Sequence, residues 1–135
     1  MAENENPLLL KVVILIFAVV ALVYGLCFLF VPDFLVNMSG GAPVFHGWLR
    51  WAGGICVALG IGSLMVARKP KNQGIFITTI ALGTLLAGLA LVFAWIYLEE
   101  GANAWFTALP AVLLLVISGL LWWSRQKAKD ILLSE

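Results

Sequence analysis

Charge is scarce in this sequence. Eight Lys and Arg and seven Asp and Glu are spread over 135 residues, so only 11% of positions are charged. A soluble chain of this length needs a charged skin around one core, and too few charges are present to make it. Histidine occurs once, as His46, and cysteine twice, as Cys27 and Cys56. No CxxC pair, HExxH motif or Cys/His grouping with ligand spacing results, so no metal site is expected. The missing CxxC also argues against a disulfide-generating quinone reductase. No Ser/His/Asp grouping appears either, and no catalytic residue is assigned. A net charge of +1 without a continuous basic patch leaves nucleic-acid binding unsupported.

What fills the sequence instead is apolar: 63% of residues are hydrophobic and the mean hydropathy is +1.06. Four apolar runs stand out, at 12–31, 48–67, 74–98 and 105–123. Each meets the roughly 20 residues needed to cross a hydrocarbon core as a helix. Long runs without period-two alternation exclude a barrel. The fold class expected is therefore all-α, a single domain over 1–135 built as an antiparallel bundle of four transmembrane helices. Pro32-Asp33, Arg68 to Asn72 and Glu99 to Asn103 punctuate the runs. The amino terminus carries Glu3 and Glu5 and lacks a basic start and a small-residue cleavage site, so the first span is expected to be retained. Cys27 and Cys56 lie inside apolar runs and read as small packing residues, with no disulfide assumed.

The basic residues set an orientation. Lys11, Arg68, Lys69, Lys71, Arg125, Lys127 and Lys129 fall on one side of a four-span arrangement and only Arg50 on the other. Basic flanks favour the cytoplasm, so both termini are expected inside. Trp48, Trp51 and Trp105 then mark the outer interface, and Trp122 and Trp123 the inner one.

Lipid supplies little hydrophobic force between helices, so small residues that admit close backbone approach become packing candidates. Gly54, Ala58 and Gly62 repeat every four residues in the second run, with Gly53 and Gly60 alongside. In the third run Gly83 pairs with Ala87 and Thr84 with Gly88. Chance spacing of common residues is the competing explanation. The second run is expected at the centre of the bundle or at an interface between subunits. No internal repeat and no intramembrane carboxylate is visible, which disfavours an inverted-repeat transporter and proton-coupled export of the small multidrug type.

The segment 32–47 is too apolar for a hydrated loop and is expected to lie along the outer surface or fold over the bundle as a lid. Asp33, His46 and Arg50 bracket it, with Trp48 beside them. These four are the candidate ligand-binding residues, with Arg50 offering a fork of donors to an anionic or quinone-like head group. The plainer alternative pairs Arg50 with Asp33 or Glu99 to tie the loop down. Asn37-Met38-Ser39 matches a glycosylation sequon, a short pattern frequent by chance.

Pro32-Asp33-Phe34-Leu35, Leu49-Arg50-Trp51-Ala52-Gly53-Gly54 and Ala58-Leu59-Gly60-Ile61-Gly62 together resemble small four-span bacterial membrane proteins of the DoxX-like kind. The resemblance covers mainly the first half of the chain, and Arg50 with Gly53-Gly54 are the matching positions. It implies a four-helix bundle in the bacterial inner membrane, in a family some of whose members are subunits beside quinone-linked redox enzymes. It transfers no catalytic residue. Two functions are expected in order: a non-enzymatic accessory or scaffold subunit that packs against itself or another membrane subunit, then a lipid- or quinone-binding protein with a pocket at the outer face. No cofactor is expected beyond such a bound lipid or quinone.

Overall fold

The computed structural model describes residues 7–41 and 46–133. Val44 and Phe45 of the expected surface segment, and Glu3 and Glu5, lie outside the described residues. Among the described residues there are six helices and no strand: α1 (Pro7–Phe30), α2 (Pro32–Ser39), α3 (His46–Arg68), α4 (Gly74–Ile96), α5 (Ala104–Lys127) and α6 (Lys129–Leu133). The four long helices hold 23 or 24 residues each and are apolar enough to span a bilayer. At 1.5 Å per residue each reaches about 35 Å, more than the roughly 30 Å hydrocarbon layer. The chain is an all-α integral membrane protein.

Helices form here because the backbone has no other way to satisfy its amides in lipid. Proline and glycine set the ends. Pro7 opens α1 and Pro32 occupies the first position of α2, where its missing N–H costs nothing. Gly40 closes α2 in a left-handed conformation, φ 65°, its amide donating to the Asn37 carbonyl.

Two antiparallel pairs make up the bundle. α1 runs along α3 and α4 along α5, and α1 also meets α5, whereas α3 and α4 scarcely touch. Pairing of α1 with α3 depends on glycines on both sides. A Cβ on Gly53 would sit 2.8 Å from the Gly25 carbonyl oxygen, one on Gly60 2.7 Å from Leu22, and one on Gly25 2.8 Å from Val57. The α4–α5 pair is closed by Gly88 against Leu115 and by the Ser118 hydroxyl donating to the Ala81 carbonyl at 2.9 Å.

The core lies toward the end where α1 begins and α5 finishes, here called the termini end. Leu10, Ile14 and Phe17 of α1, Ile77, Ile80 and Ala81 of α4, and Ile117 and Leu121 of α5 are buried together. Leu132 of α6 is buried there too, beneath the start of α4. The Asn72 amide donates to the Ile131 carbonyl, 3.4 Å away. Arg125 stacks over Trp122 at 5.7 Å and donates from Nε to the Thr78 hydroxyl at 2.8 Å. At the opposite end the two pairs are bridged by α2 and the 99–103 loop. The backbone amide of Asn103 donates to the Ser39 carbonyl at 2.7 Å and its side-chain amide to the Met38 carbonyl at 2.8 Å. Asn103 thus supplies two donors to the carbonyls that the end of α2 leaves unpaired.

Candidate functional site: a cavity between the helix pairs

Packed at the termini end and bridged at the α2 end, the two pairs leave a half-open cavity of about 740 Å³ between them, with Thr79, Gly83, Ala87 and Ala90 of α4 exposed along it. All four long helices contribute to its wall. Phe17, Ala21, Tyr24 and Phe28 come from α1, Cys56 and Leu59 from α3, and Phe106, Thr107, Pro110 and Leu113 from α5. On α4 the wall runs along Thr79, Gly83, Ala87 and Ala90 on one side and Ile80, Thr84 and Leu91 on the other. No charged side chain lines it.

The hollow follows from side-chain size. Gly83, Ala87 and Ala90 recur on one face of α4 and bring no bulk to the space facing α3. A Cβ built on Gly83 meets nothing within 4 Å. Neighbouring Thr84 and Gly88, one position round the helix, are buried, and Gly88 packs against Leu115 of α5. One stripe of small residues on α4 therefore makes a contact and the adjacent one makes a void.

Hydroxyl groups are the polar features of the wall. Thr84 is satisfied by the Ile80 and Ala81 carbonyls at 2.8 and 3.0 Å, and Thr79 by Ile75 at 2.9 Å. Tyr24 and Thr107 have no hydrogen-bond partner among the described residues. Pro110, also on the wall, has no amide to give to the Phe106 carbonyl.

The candidate residues at the α2 end are placed apart from this cavity. Asp33 and His46 do come together, Nε2 to Oδ1 at 2.9 Å, with side chains 76% and 41% exposed. A pair so exposed contributes at most about 1 kcal/mol. Its structural effect is to tie the first turn of α2 to the first turn of α3. Asp33 thus pairs with His46 where the sequence offered Arg50. Arg50 itself is exposed and has no ion-pair partner among the described residues. Trp48 is exposed and meets Trp51 edge to face at 6.2 Å. None of the four lines the cavity. Cys27 and Cys56 are free thiols.

Of the small residues expected to pack, Gly53 and Gly88 are buried in close helix contacts, and Gly62 faces Phe76 of α4 at 3.0 Å. Gly54 and Ala58 are exposed on the outside of α3, with nothing within 4 Å of a Cβ on Gly54. Gly83 belongs to the cavity wall. Gly25, a lone glycine inside the first apolar run, went unremarked in the sequence, yet it is the residue that Gly53 packs against. Tyr24, Thr107 and Pro110 also escaped notice as a group. Their sequence signal was weak, because each is a single mildly polar residue or helix breaker in a different span.

Fold and cavity together define the class: a four-span helical membrane protein with a half-open apolar cavity between its helix pairs. Comparison with known protein families, with curated proteins and with solved structures finds no match.

Proposed function

We propose that the protein binds a lipophilic molecule drawn from the bilayer, a lipid or a quinone, in the chamber between its two helix pairs. The observation that carries this is the cavity itself. Its volume of about 740 Å³ falls within the few hundred to one thousand Å³ typical of small-molecule sites. Its apolar wall, at membrane depth, offers water almost no hydrogen bonds, so hydrocarbon is the medium that fills it. The reading is non-enzymatic: the chamber has no nucleophile–base pair and no metal-ligand cluster among the described residues. Asp33 and His46 brace α2 against α3 at the α2 end, apart from the chamber, and Arg50 with Trp48 anchor this end at the headgroup layer. A cytoplasmic termini end is the orientation that its basic residues favour by the positive-inside rule. A bacterial inner membrane fits the DoxX-like resemblance.

Native mass spectrometry of gently extracted protein tests this reading. Wild type is expected to retain a small molecule, and Gly83→Phe, which directs a ring into the open space, is expected to lose it while staying folded. Equal retention by both proteins would refute the proposal.

A second reading, an accessory subunit, is favoured by one observation. Gly54 and Ala58 present a flat stripe on the outward face of α3, free of contact within the chain. Such surfaces admit close approach of another membrane helix.

A further inference from the structure

The chemistry of the cavity wall narrows what it accepts. A phosphate or carboxylate inside it would be a buried charge without a counter-charge, since no Lys, Arg or His lines the wall. A pure hydrocarbon would leave two hydroxyl groups unsatisfied in a medium without water, a cost of order 1 kcal/mol or more for each. Those hydroxyls belong to Tyr24 and Thr107, both lining the cavity from the half of their helix nearer the α2 end. Tyr24 is six residues from the α2 end of α1 and Thr107 three residues from the α2 end of α5. At helical rise they lie about 9 Å and about 5 Å below those helix ends. Two hydroxyls that can each donate and accept suit an uncharged oxygen-bearing group.

The wall also differs in strength around its circumference. Three seams are packed, α1 with α3, α1 with α5 and α4 with α5, but the α3–α4 seam is not. There Phe76 against Gly62 is the close approach, at the termini end, and beyond it α4 presents Gly83, Ala87 and Ala90. A molecule already dissolved in the bilayer can pass sideways through that seam without crossing the polar α2 end.

We infer that the chamber selects a neutral lipid with one uncharged oxygen-bearing end, held by Tyr24 and Thr107 near the α2 end and admitted from the bilayer between α3 and α4. This rests on the cavity reading above. It is tested with full-length protein in phosphatidylcholine vesicles. Three photoactivatable, alkyne-tagged probes are compared: a long-chain alcohol, the matching alkane and a phosphatidylcholine. Crosslinked positions are mapped on wild type, Tyr24→Phe, Thr107→Val and Gly83→Phe.

The alcohol is expected to label cavity-lining residues of wild type in preference to the other two probes. Labelling should fall about five-fold in Tyr24→Phe, the factor that one lost hydrogen bond gives, and also fall in Thr107→Val should Tyr24→Phe fail to fold. Gly83→Phe should abolish it. If alcohol and alkane label the chamber equally and neither polar substitution matters, or if the phosphatidylcholine is preferred, the inference is overturned while the cavity reading stands. If no probe labels the chamber, or Gly83→Phe leaves labelling unchanged, the cavity reading falls as well.

Discussion

At the scale of single residues, neighbouring glycines in α3 have opposite jobs. Gly53 is buried against the Gly25 carbonyl and Phe28, so any side chain there collides with backbone that cannot yield. Gly54 points outward into open space. Gly53→Leu is therefore expected to destabilise the α1–α3 pair by about 1–3 kcal/mol, as overpacking does. Gly54→Leu should leave intrachain stability within about 0.5 kcal/mol of wild type. Reversible unfolding in mixed detergent micelles measures both. If Gly54→Leu also lowers association of the protein in crosslinking while the fold holds, the accessory-subunit reading gains its support; unchanged association removes it. The sequence shows the two glycines as an adjacent pair and cannot assign their faces. That assignment depends on how α3 is rotated about its axis, which Gly25 and Gly60 fix.

At the scale of elements, α2 is the part the sequence described least completely. Its apolar character was visible, but its partner was not. Asn103, about sixty residues away, caps it with two hydrogen bonds, and the Asp33–His46 contact holds its other end. Asn103→Ala removes the side-chain bond to Met38 and keeps the backbone one, so a loss of about 1 kcal/mol is expected locally. Amide exchange should quicken several-fold across α2 while α1 and α3 keep wild-type protection. An unchanged α2 would mean that the Asp33–His46 contact or lipid alone fixes it. Pro110 illustrates a second element-level effect. It interrupts an apolar run, and the fold places it on the chamber wall, as it does Thr107.

At the scale of the whole molecule, two packed helix pairs meet firmly at one end, are bridged by α2 and the 99–103 loop at the other, and leave the cavity between. Seven of the eight basic residues, all but Arg50, lie in elements of the firm end or just beyond them, so the same end is expected to face the cytoplasm. A fluorescent protein fused after Glu135 should fold and fluoresce, and a periplasmic reporter inserted between Glu100 and Gly101 should be active. The reverse pattern would invert the orientation and put the α2 end inside.

The number and approximate limits of the long helices were set by the sequence alone, because hydrocarbon thickness and backbone hydrogen bonding act on length and polarity, and both can be counted along a chain. The runs at 48–67 and 74–98 differ from α3 and α4 by only two residues at any end. Tertiary structure decided what the intervals between helices contain. Whether a small residue makes a contact, as Gly88 does, or a void, as Gly83 does, depends on what faces it across the gap. Facing is a property of helix rotation and pairing that no local pattern encodes, and it is why the chamber and its hydroxyls emerged only with the fold.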